Sequence, residues 1–324
     1  MSNSQILKIF LNHPNQWLSG TAIAKQLSIS RTMVWKTINI LIDNGHQIER
    51  KHNLGYRYLG TTQLSATKIS LQCSQSIQIK TFDQIDSTNK YAKDILNHKQ
   101  ITNPFVIIAN QQTAGYGRRG RHFYSPANSG LYLTIAVPVE HHAMINPGLL
   151  TTTTAVAVVR ALKVSYPQIP FQLKWINDIW VNGQKVGGIM TESIMDVELM
   201  QPSAIIVGIG INLSTKQFPS TINQPVTSIS ANPIDRNQLA ADIINQFMQS
   251  YPTYQSGIAM DEYRKLSVVI GKQVTINIRN QPIVGTVEAI DDNGALMLRS
   301  ADGQLQRVMT GEVTKVRINH QNEK

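Results

Sequence analysis

Gln112-Thr113-Ala114-Gly115-Tyr116-Gly117-Arg118-Arg119-Gly120-Arg121-His122-Phe123 is the stretch on which the reading of this chain turns. Three glycines alternate with three arginines directly after Phe105 to Ala109, an apolar run that reads as a buried strand. Glycine lets backbone come close to a ligand, and arginine brings a permanently charged fork of donors that fits carboxylates and phosphates. The stretch therefore reads as a loop that closes over something small and anionic. The plainer alternative is a basic surface hairpin, but turns rarely need so many arginines.

Gly115, Gly117 and Gly120 also satisfy the spacing G-x-G-x-x-G of dinucleotide-binding folds, and Glu140 lies downstream where that motif places its ribose-binding acid. That fingerprint needs a helix to open at the third glycine, so that its N-terminus can hold a pyrophosphate. Here Arg121 to Gly130 has the composition of a loop and Leu131 to Val137 reads as a strand. The dinucleotide reading is rejected.

Upstream, residues 1–60 hold seven Lys/Arg against Asp43 and Glu49, half of the chain's net charge of +10. Gln5 to Leu11 and Thr21 to Leu27 read as helices, and Ser30 as the N-cap of a third helix burying Val34, Ile38, Leu41 and Ile42. Arg31, Thr32, Lys36 and Asn39 fall off that apolar stripe. A hairpin with a basic tip follows, carrying Lys51 and Arg57. This pattern predicts a winged helix-turn-helix, with the third helix in the major groove and the wing on phosphate. Thr61 to Ser76, rich in Ser, Thr and Gln, reads as a linker.

Downstream, Asp86 to Asn89 reads as a cap on a helix Lys90 to Asn97, and free N–H groups there suit a polar ligand head. Leu149 to Lys163 is predicted as a helix and Gln172 to Val181 as one or two strands. Asn182-Gly183 is a hairpin turn, and Lys185 to Met190 returns with twin glycines. Ile205 to Asn212 reads as a buried strand, Ser214 to Gln224 as a mobile lid, and Arg236 to Ser250 and Asp261 to Val269 as helices. From Gly271 the chain turns to short strands: Lys272–Arg279, Ile283–Ile290, Ala295–Ser300, Leu305–Met309 and Val313–Ile318. These predict a small β-barrel.

The lone Cys73 and the lack of a signal segment or spanning apolar run fit a cytoplasmic protein with no membrane association. Neither a Ser-His-Asp arrangement nor a P-loop stands out. The chemistry expected instead is anion transfer on a nucleotide, where positioning and charge neutralisation do the work. Arginines and a lysine would hold a substrate carboxylate against the α-phosphate of ATP, with Mg2+ on the phosphates seated partly by Asp178.

Four ordered motifs carry a resemblance: Gly115 to Arg121, Lys174-Trp175-Ile176-Asn177-Asp178, Lys185 to Ile189, and Gly208 to Leu213. They resemble those of biotin–protein ligases, and with the N-terminal unit the chain is similar to the bifunctional biotin ligase and biotin operon repressor of bacteria. The resemblance implies an α+β protein of three domains. These are a winged helix-turn-helix (1–62), a catalytic domain like class II aminoacyl-tRNA synthetases (63–268) and an SH3-like barrel (269–324). It implies that biotin and ATP give biotinyl-5′-AMP, an intermediate whose biotinyl group passes to a lysine of the biotin carboxyl carrier protein of acetyl-CoA carboxylase. It further implies that the adenylate, as corepressor, drives homodimerisation on the operator DNA of biotin genes.

Carried over residue by residue, the biotin site falls on Ser87, Thr88, Asn89, Gln112, Tyr116, Gly117, Arg118 and Lys185, the last two catalytic. Gly115, Arg119, Gly120, Arg121, Asn177 and Asn212 would face nucleotide or phosphate. Tyr116, Phe123 and Ile176 stand where many members carry Arg, Trp and Pro. A non-catalytic biotin-sensing repressor and a lipoate or octanoyl ligase are the alternatives; intact Arg118, Lys185 and Asp178 speak against the first.

Overall fold

The structure is a computed structural model that describes residues 2–98, 101–140, 144–196, 198–231, 234–278 and 281–317. The chain begins with α1 (Ser2–Asn12), β1 (Trp17–Leu18), α2 (Gly20–Leu27) and α3 (Arg31–Asp43), then β2 (Gln47–Lys51) and β3 (Gly55–Gly60). Serines set the ends of the helices. Ser19 Oγ accepts from Ala22 N and Ser30 Oγ from Met33 N, while Ser28 takes a left-handed conformation between α2 and α3 (φ 54°). The inward faces of α1, α2 and α3 meet over Phe10, Ile23, Val34 and Ile38, with Tyr58 of β3 stacked on Phe10. A three-stranded sheet in the order β1-β3-β2 closes the unit.

The stretch expected to be a linker contains a helix, α4 (Ala66–Gln72). Its polar composition hid it, because its polar side chains are bound rather than solvated. Lys68 is buried and pairs with Asp235 at 2.6 Å, and Ser65 N donates to Asn237 Oδ1 at 2.7 Å. Arg236 is buried too. Its guanidinium donates to Thr62 O at 3.1 Å, Asn110 Oδ1 at 2.8 Å and Gly130 O at 3.3 Å, pinning the end of the N-terminal unit to the central sheet.

The central sheet is built from β4 (Gln78–Ile85), β5 (Phe105–Gln112), β6 (Gly130–Pro138), β7 (Gln172–Lys174), β8 (Asp178–Val181), β9 (Gln184–Asp196) and β10 (Gln201–Asn212). Its order is β4-β5-β6-β10-β9-β8-β7, antiparallel except for the β4–β5 pair. β5, β6 and β10 are apolar almost throughout because both faces are covered. Helix α5 (Thr88–His98) packs on one face through Ala92, against Phe105, Ile107, Ala136 and Ile206. On the other face lie α6 (Pro147–Ser165), α7 (Arg236–Ser250) and α8 (Met260–Leu266). Among the described residues no α-helix opens at Gly120: a 3-10 turn and then β6 follow, as the rejection of the dinucleotide reading requires.

The C-terminal part is a five-stranded antiparallel sheet, β11 (Gln273–Ile278), β12 (Gln281–Ile290), β13 (Leu296–Arg299), β14 (Leu305–Val308) and β15 (Glu312–Arg317), in the order β14-β13-β12-β11-β15. The expected strand ends Arg279 and Ile318 lie outside the described residues. Among the described residues no ladder joins β14 to β15. Core packing runs unbroken from the central sheet into this one, and Trp175 Nε1 donates to Gly294 O at 3.0 Å across the join. No described helix is long and apolar enough to cross a membrane.

His46 gives the N-terminal unit a pH dependence. Its ring is buried beside Tyr58, 3.0 Å from the hydroxyl, and burial first, then the charge of Lys68, pushes its pKa down to about 4. The fold therefore holds a neutral imidazole, while the unfolded chain takes up a proton below about pH 6.5. Stability from this site is present above that pH and is lost as pH falls toward 4, by about 2–3 kcal/mol. His46→Gln should flatten this window in pH-dependent hydrogen exchange of α1 to α3; an unchanged profile would refute the assignment.

Candidate functional site

The cavity that gathers most of the candidate residues lies where the start of α5, the end of β5, the glycine–arginine loop, β8, β9 and β10 converge, with β15 at its edge. Two sets of side chains line it. Ser87, Thr88, Asn89 and Gln112 form the uncharged set, and Arg118, Arg119, Arg121, Lys185, Asp178 and Glu312 the charged one.

The uncharged set is a chain of hydrogen bonds. Helix α5 starts two residues earlier than expected, so Thr88 and Asn89 sit in its first turn rather than in the cap. Gln112 Oε1 accepts from Thr88 N at 2.9 Å and from Thr88 Oγ1 at 3.1 Å, and Gln112 Nε2 donates to Ser125 Oγ at 3.0 Å. Thr134, buried on β6, donates to Thr88 Oγ1 or Asn89 Oδ1, at 2.8 and 2.6 Å. Ser87 Oγ accepts from Lys90 N at 3.4 Å and keeps its own proton to give.

Two glycines of β10 make room for this floor. A Cβ on Gly208 would stand 2.3 Å from Asn89 Oδ1, and one on Gly210 2.7 Å from the Phe123 ring. Phe123 in turn meets Tyr132 edge-on, 6.4 Å between centroids. Gly187 and Gly188 of β9 serve the neighbouring wall. A Cβ on Gly187 would approach Gly210 O to 2.8 Å, and one on Gly188 would crowd Lys185 at 3.3 Å.

The loop itself is a small hairpin. Phe123 N donates to Gly115 O and Gly117 N to Arg121 O, both at 2.8 Å, and Tyr116 bridges His122. Arg118 to Gly120 makes a 3-10 turn with Arg119 and Gly120 left-handed. The arginines reach the C-terminal sheet: Arg118 Nη1 donates to Gly311 O at 3.0 Å, Arg119 Nη2 to Asn277 O at 3.0 Å, and Arg121 pairs with Glu312. Burial first, then the charge of Arg119, lowers the Arg118 pKa, while Asp178 and Glu312 raise it. The guanidinium stays charged nonetheless.

Lys185 and Asp178 pair at 2.7 Å on adjacent strands, both largely buried. Lys185 is also held through its backbone, which bonds Pro225 O and Thr227 N at 2.9 Å, so the end of the expected lid is tied to it. Phe218 of the lid packs edge-on against Tyr124, 6.3 Å between centroids. Strands β7 and β8 are separate, joined by a turn in which the Trp175–Ile176 peptide is cis.

Several expected residues stand elsewhere. Gly115, Gly120 and Asn212 do not line the cavity. Gly115 is a packing glycine, since a Cβ there would meet Gln112 and Ser125 at 2.8 Å. Asn212 is buried and donates weakly to Thr227 O at 3.4 Å, its Oδ1 without a partner. Asn177 lines the cavity but is spent within the protein, its Nδ2 on Ile189 O at 2.8 Å and its Oδ1 facing Arg118 at 3.4 Å. Among the described residues no group of three His, Cys, Asp or Glu could hold a metal ion. Asp178 alone suits an ion bound mainly through phosphates and water, as magnesium commonly is. The sequence reading missed Glu312, whose contacts with the loop span almost two hundred positions, and no local pattern could have found it.

At the N-terminal unit, Arg31, Thr32, Lys36 and Lys51 are exposed. Asn39 Oδ1 accepts from Arg50, and Arg57 pairs with Glu49 at 2.5 Å while lying 4.8 Å over the Trp17 ring, so both side chains are engaged within the unit. Trp35, half exposed on the same face as Thr32, Lys36 and Asn39, was missed. An aromatic one turn from two predicted DNA contacts was the available signal.

Three family models match the chain: one described as an HTH domain over residues 3–57, one as the biotin/lipoate A/B protein ligase family over 81–212, and one as the biotin protein ligase C terminal domain over 269–316. The bifunctional ligase/repressor BirA of Escherichia coli (strain K12) is 30% identical over 304 residues, covering 91% of this chain and 92% of that protein. The protein of the same name from Bacillus subtilis (strain 168) is 29% identical over 320 residues, covering 95% and 97%. A solved biotin protein ligase from Aquifex aeolicus in complex with biotin and ATP matches with a TM-score of 0.61 at 22% identity, covering 74% of this chain and 98% of that one. That likeness bears on the fold alone.

The packing at β10 can be tested directly. Gly208→Ala should force Asn89 off Thr134 and cost about 1–3 kcal/mol in denaturant unfolding of the central domain. Wild-type stability for this variant would show that Asn89 is free to move.

Proposed function

This chain belongs to the biotin/lipoate A/B protein ligase family, and on that premise we propose that it activates biotin with ATP, transfers it to a carrier lysine and represses biotin genes through its N-terminal unit. The observation that carries the reading is one cavity lined both by an uncharged hydrogen-bonding set and by four cations against two carboxylates. Biotin's ureido ring takes and gives hydrogen bonds, which suits Ser87, Thr88 and Gln112, and a ligand without that group would leave buried partners unsatisfied. Its carboxylate belongs beside Arg118 and Lys185.

In the first step a carboxylate oxygen of biotin bonds to the α-phosphorus of ATP, and the bond from that phosphorus to the bridging oxygen of pyrophosphate breaks. Lys185, held by its ion pair with Asp178, and Arg118, aimed by Asn177 and Gly311 O, lower the repulsion between carboxylate and phosphate. Arg119 and Arg121 extend positive charge along the loop toward the departing pyrophosphate. Magnesium, when bound, would neutralise the phosphates, with Asp178 its protein ligand. In the second step a neutral lysine amine of the biotin carboxyl carrier protein attacks the biotinyl carbonyl, AMP leaves and the amine loses a proton.

We divide the chain into a winged helix-turn-helix (1–62), a class II synthetase-like catalytic domain (63–268) and an SH3-like barrel (269–324). The adenylate-loaded form acts as a homodimer on operator DNA, and the setting is the cytoplasm. Arg31, Thr32, Lys36 and Lys51 supply the DNA contacts; Asn39 and Arg57 contribute by ordering the hairpin beside them.

Two variants test the two halves. Arg118→Gly should still form adenylate but release it, labelling bystander lysines in a mixed-protein assay; unchanged selectivity for the carrier would remove that role from Arg118. Lys36→Ala should weaken operator binding and reduce its salt slope by about 1, without changing biotin transfer. An unaltered slope would place Lys36 off the phosphates.

A further inference from the structure

Tyr116 lies in the stem of the glycine–arginine loop, and its side chain is held from the far side of the cavity. Its hydroxyl donates to Glu192 Oε2 at 3.1 Å. The same carboxylate accepts from Lys93 Nζ at 2.6 Å and from Asn89 Nδ2 at 3.2 Å. Lys93 also lies 5.4 Å from the centroid of the Tyr116 ring. Glu192, on β9, is largely buried, its side chain 19% exposed. One carboxylate thus joins the loop, the first turn of α5 and the central sheet.

We propose that Glu192, with Lys93, is a positioning residue that latches Tyr116 and so keeps the stem of the 115–121 loop seated over the reacting groups. Resting on the adenylate-forming reading above, the argument is mechanical. Tyr116 bridges His122 at the base of the hairpin, so fixing its side chain fixes the stem whose tip carries Arg118 and Arg119. The arginines anchor the tip to Gly311, Asn277 and Glu312; the tyrosine anchors the stem to the catalytic sheet. Losing the stem anchor leaves the tip attached but lets the loop rock, and a reactive mixed anhydride escapes through such a gap.

The test uses the full chain as Tyr116→Phe and Glu192→Gln. Two rates are read: escape of biotinyl-5′-AMP from loaded enzyme, and tryptic cleavage at Arg118, Arg119 and Arg121. Loss of one hydrogen bond to a charged, largely buried group should raise both rates about 5- to 10-fold in Tyr116→Phe and Glu192→Gln. Wild-type rates in Tyr116→Phe would overturn the proposal, as would a lowered melting temperature with unchanged loop cleavage. If wild-type enzyme made no adenylate, the ligase reading would fail, and the cleavage rates would still judge the latch.

Discussion

A side chain on Gly208 or Gly210 would fall on the Asn89 amide or the Phe123 ring, and most of the site follows from that constraint. With only hydrogen at these two positions of β10, the start of α5 can drop onto one side of the strand and the base of the arginine loop onto it as well. Asn89 then reaches Thr134, Thr134 reaches Thr88, and Thr88 is fixed against Gln112. Asn89, Thr134, Thr88 and Gln112 each have a partner in this floor, which makes a buried polar network rigid rather than costly, while the Ser87 hydroxyl keeps a proton to give. The charged groups rest against it: Lys185 and Asp178 on the neighbouring strands, and Arg118 held from above by the C-terminal sheet.

The C-terminal sheet is thus part of the site rather than an appendage. Glu312 and two carbonyl oxygens receive the three arginines of the loop, so concentrated positive charge is balanced within the protein. The balance is incomplete, with four cations against two carboxylates around the cavity, and the remaining charge favours a phosphate-bearing ligand. At the opposite end, Arg236 touches Thr62, Asn110 and Gly130 together. The N-terminal unit therefore rests on the same strands, β5 and β6, that supply Gln112 and Thr134.

Much of this was legible in the sequence because it is local. Caps at Ser19 and Ser30, the turn at Asn182-Gly183, the alternation of glycine and arginine, and the buried strands all express short-range rules, and the strands and helices lie within a few residues of where those rules place them. Ser87, Thr88, Gln112, Arg118, Asp178 and Lys185, which the structure gathers around one cavity, were legible as candidates because each sits in a compact motif. What was illegible depends on contacts between distant segments. Helix α4 looks like a linker until Asp235 and Asn237 are brought to it, Glu312 looks like an ordinary strand residue, and Glu192 gains meaning only when α5 lays Lys93 and Asn89 beside it. The sequence placed Asn177 on nucleotide, whereas its amide serves Ile189 and Arg118.

The central claim is that this cavity joins a biotin carboxylate to the α-phosphate of ATP. Exchange of labelled pyrophosphate into ATP by the purified full-length chain, with and without biotin, tests it most directly, because it reads the reverse of adenylate formation independently of any carrier. Exchange that depends on biotin is the predicted result. Biotin bound at the site with no exchange above the biotin-free level would contradict the account.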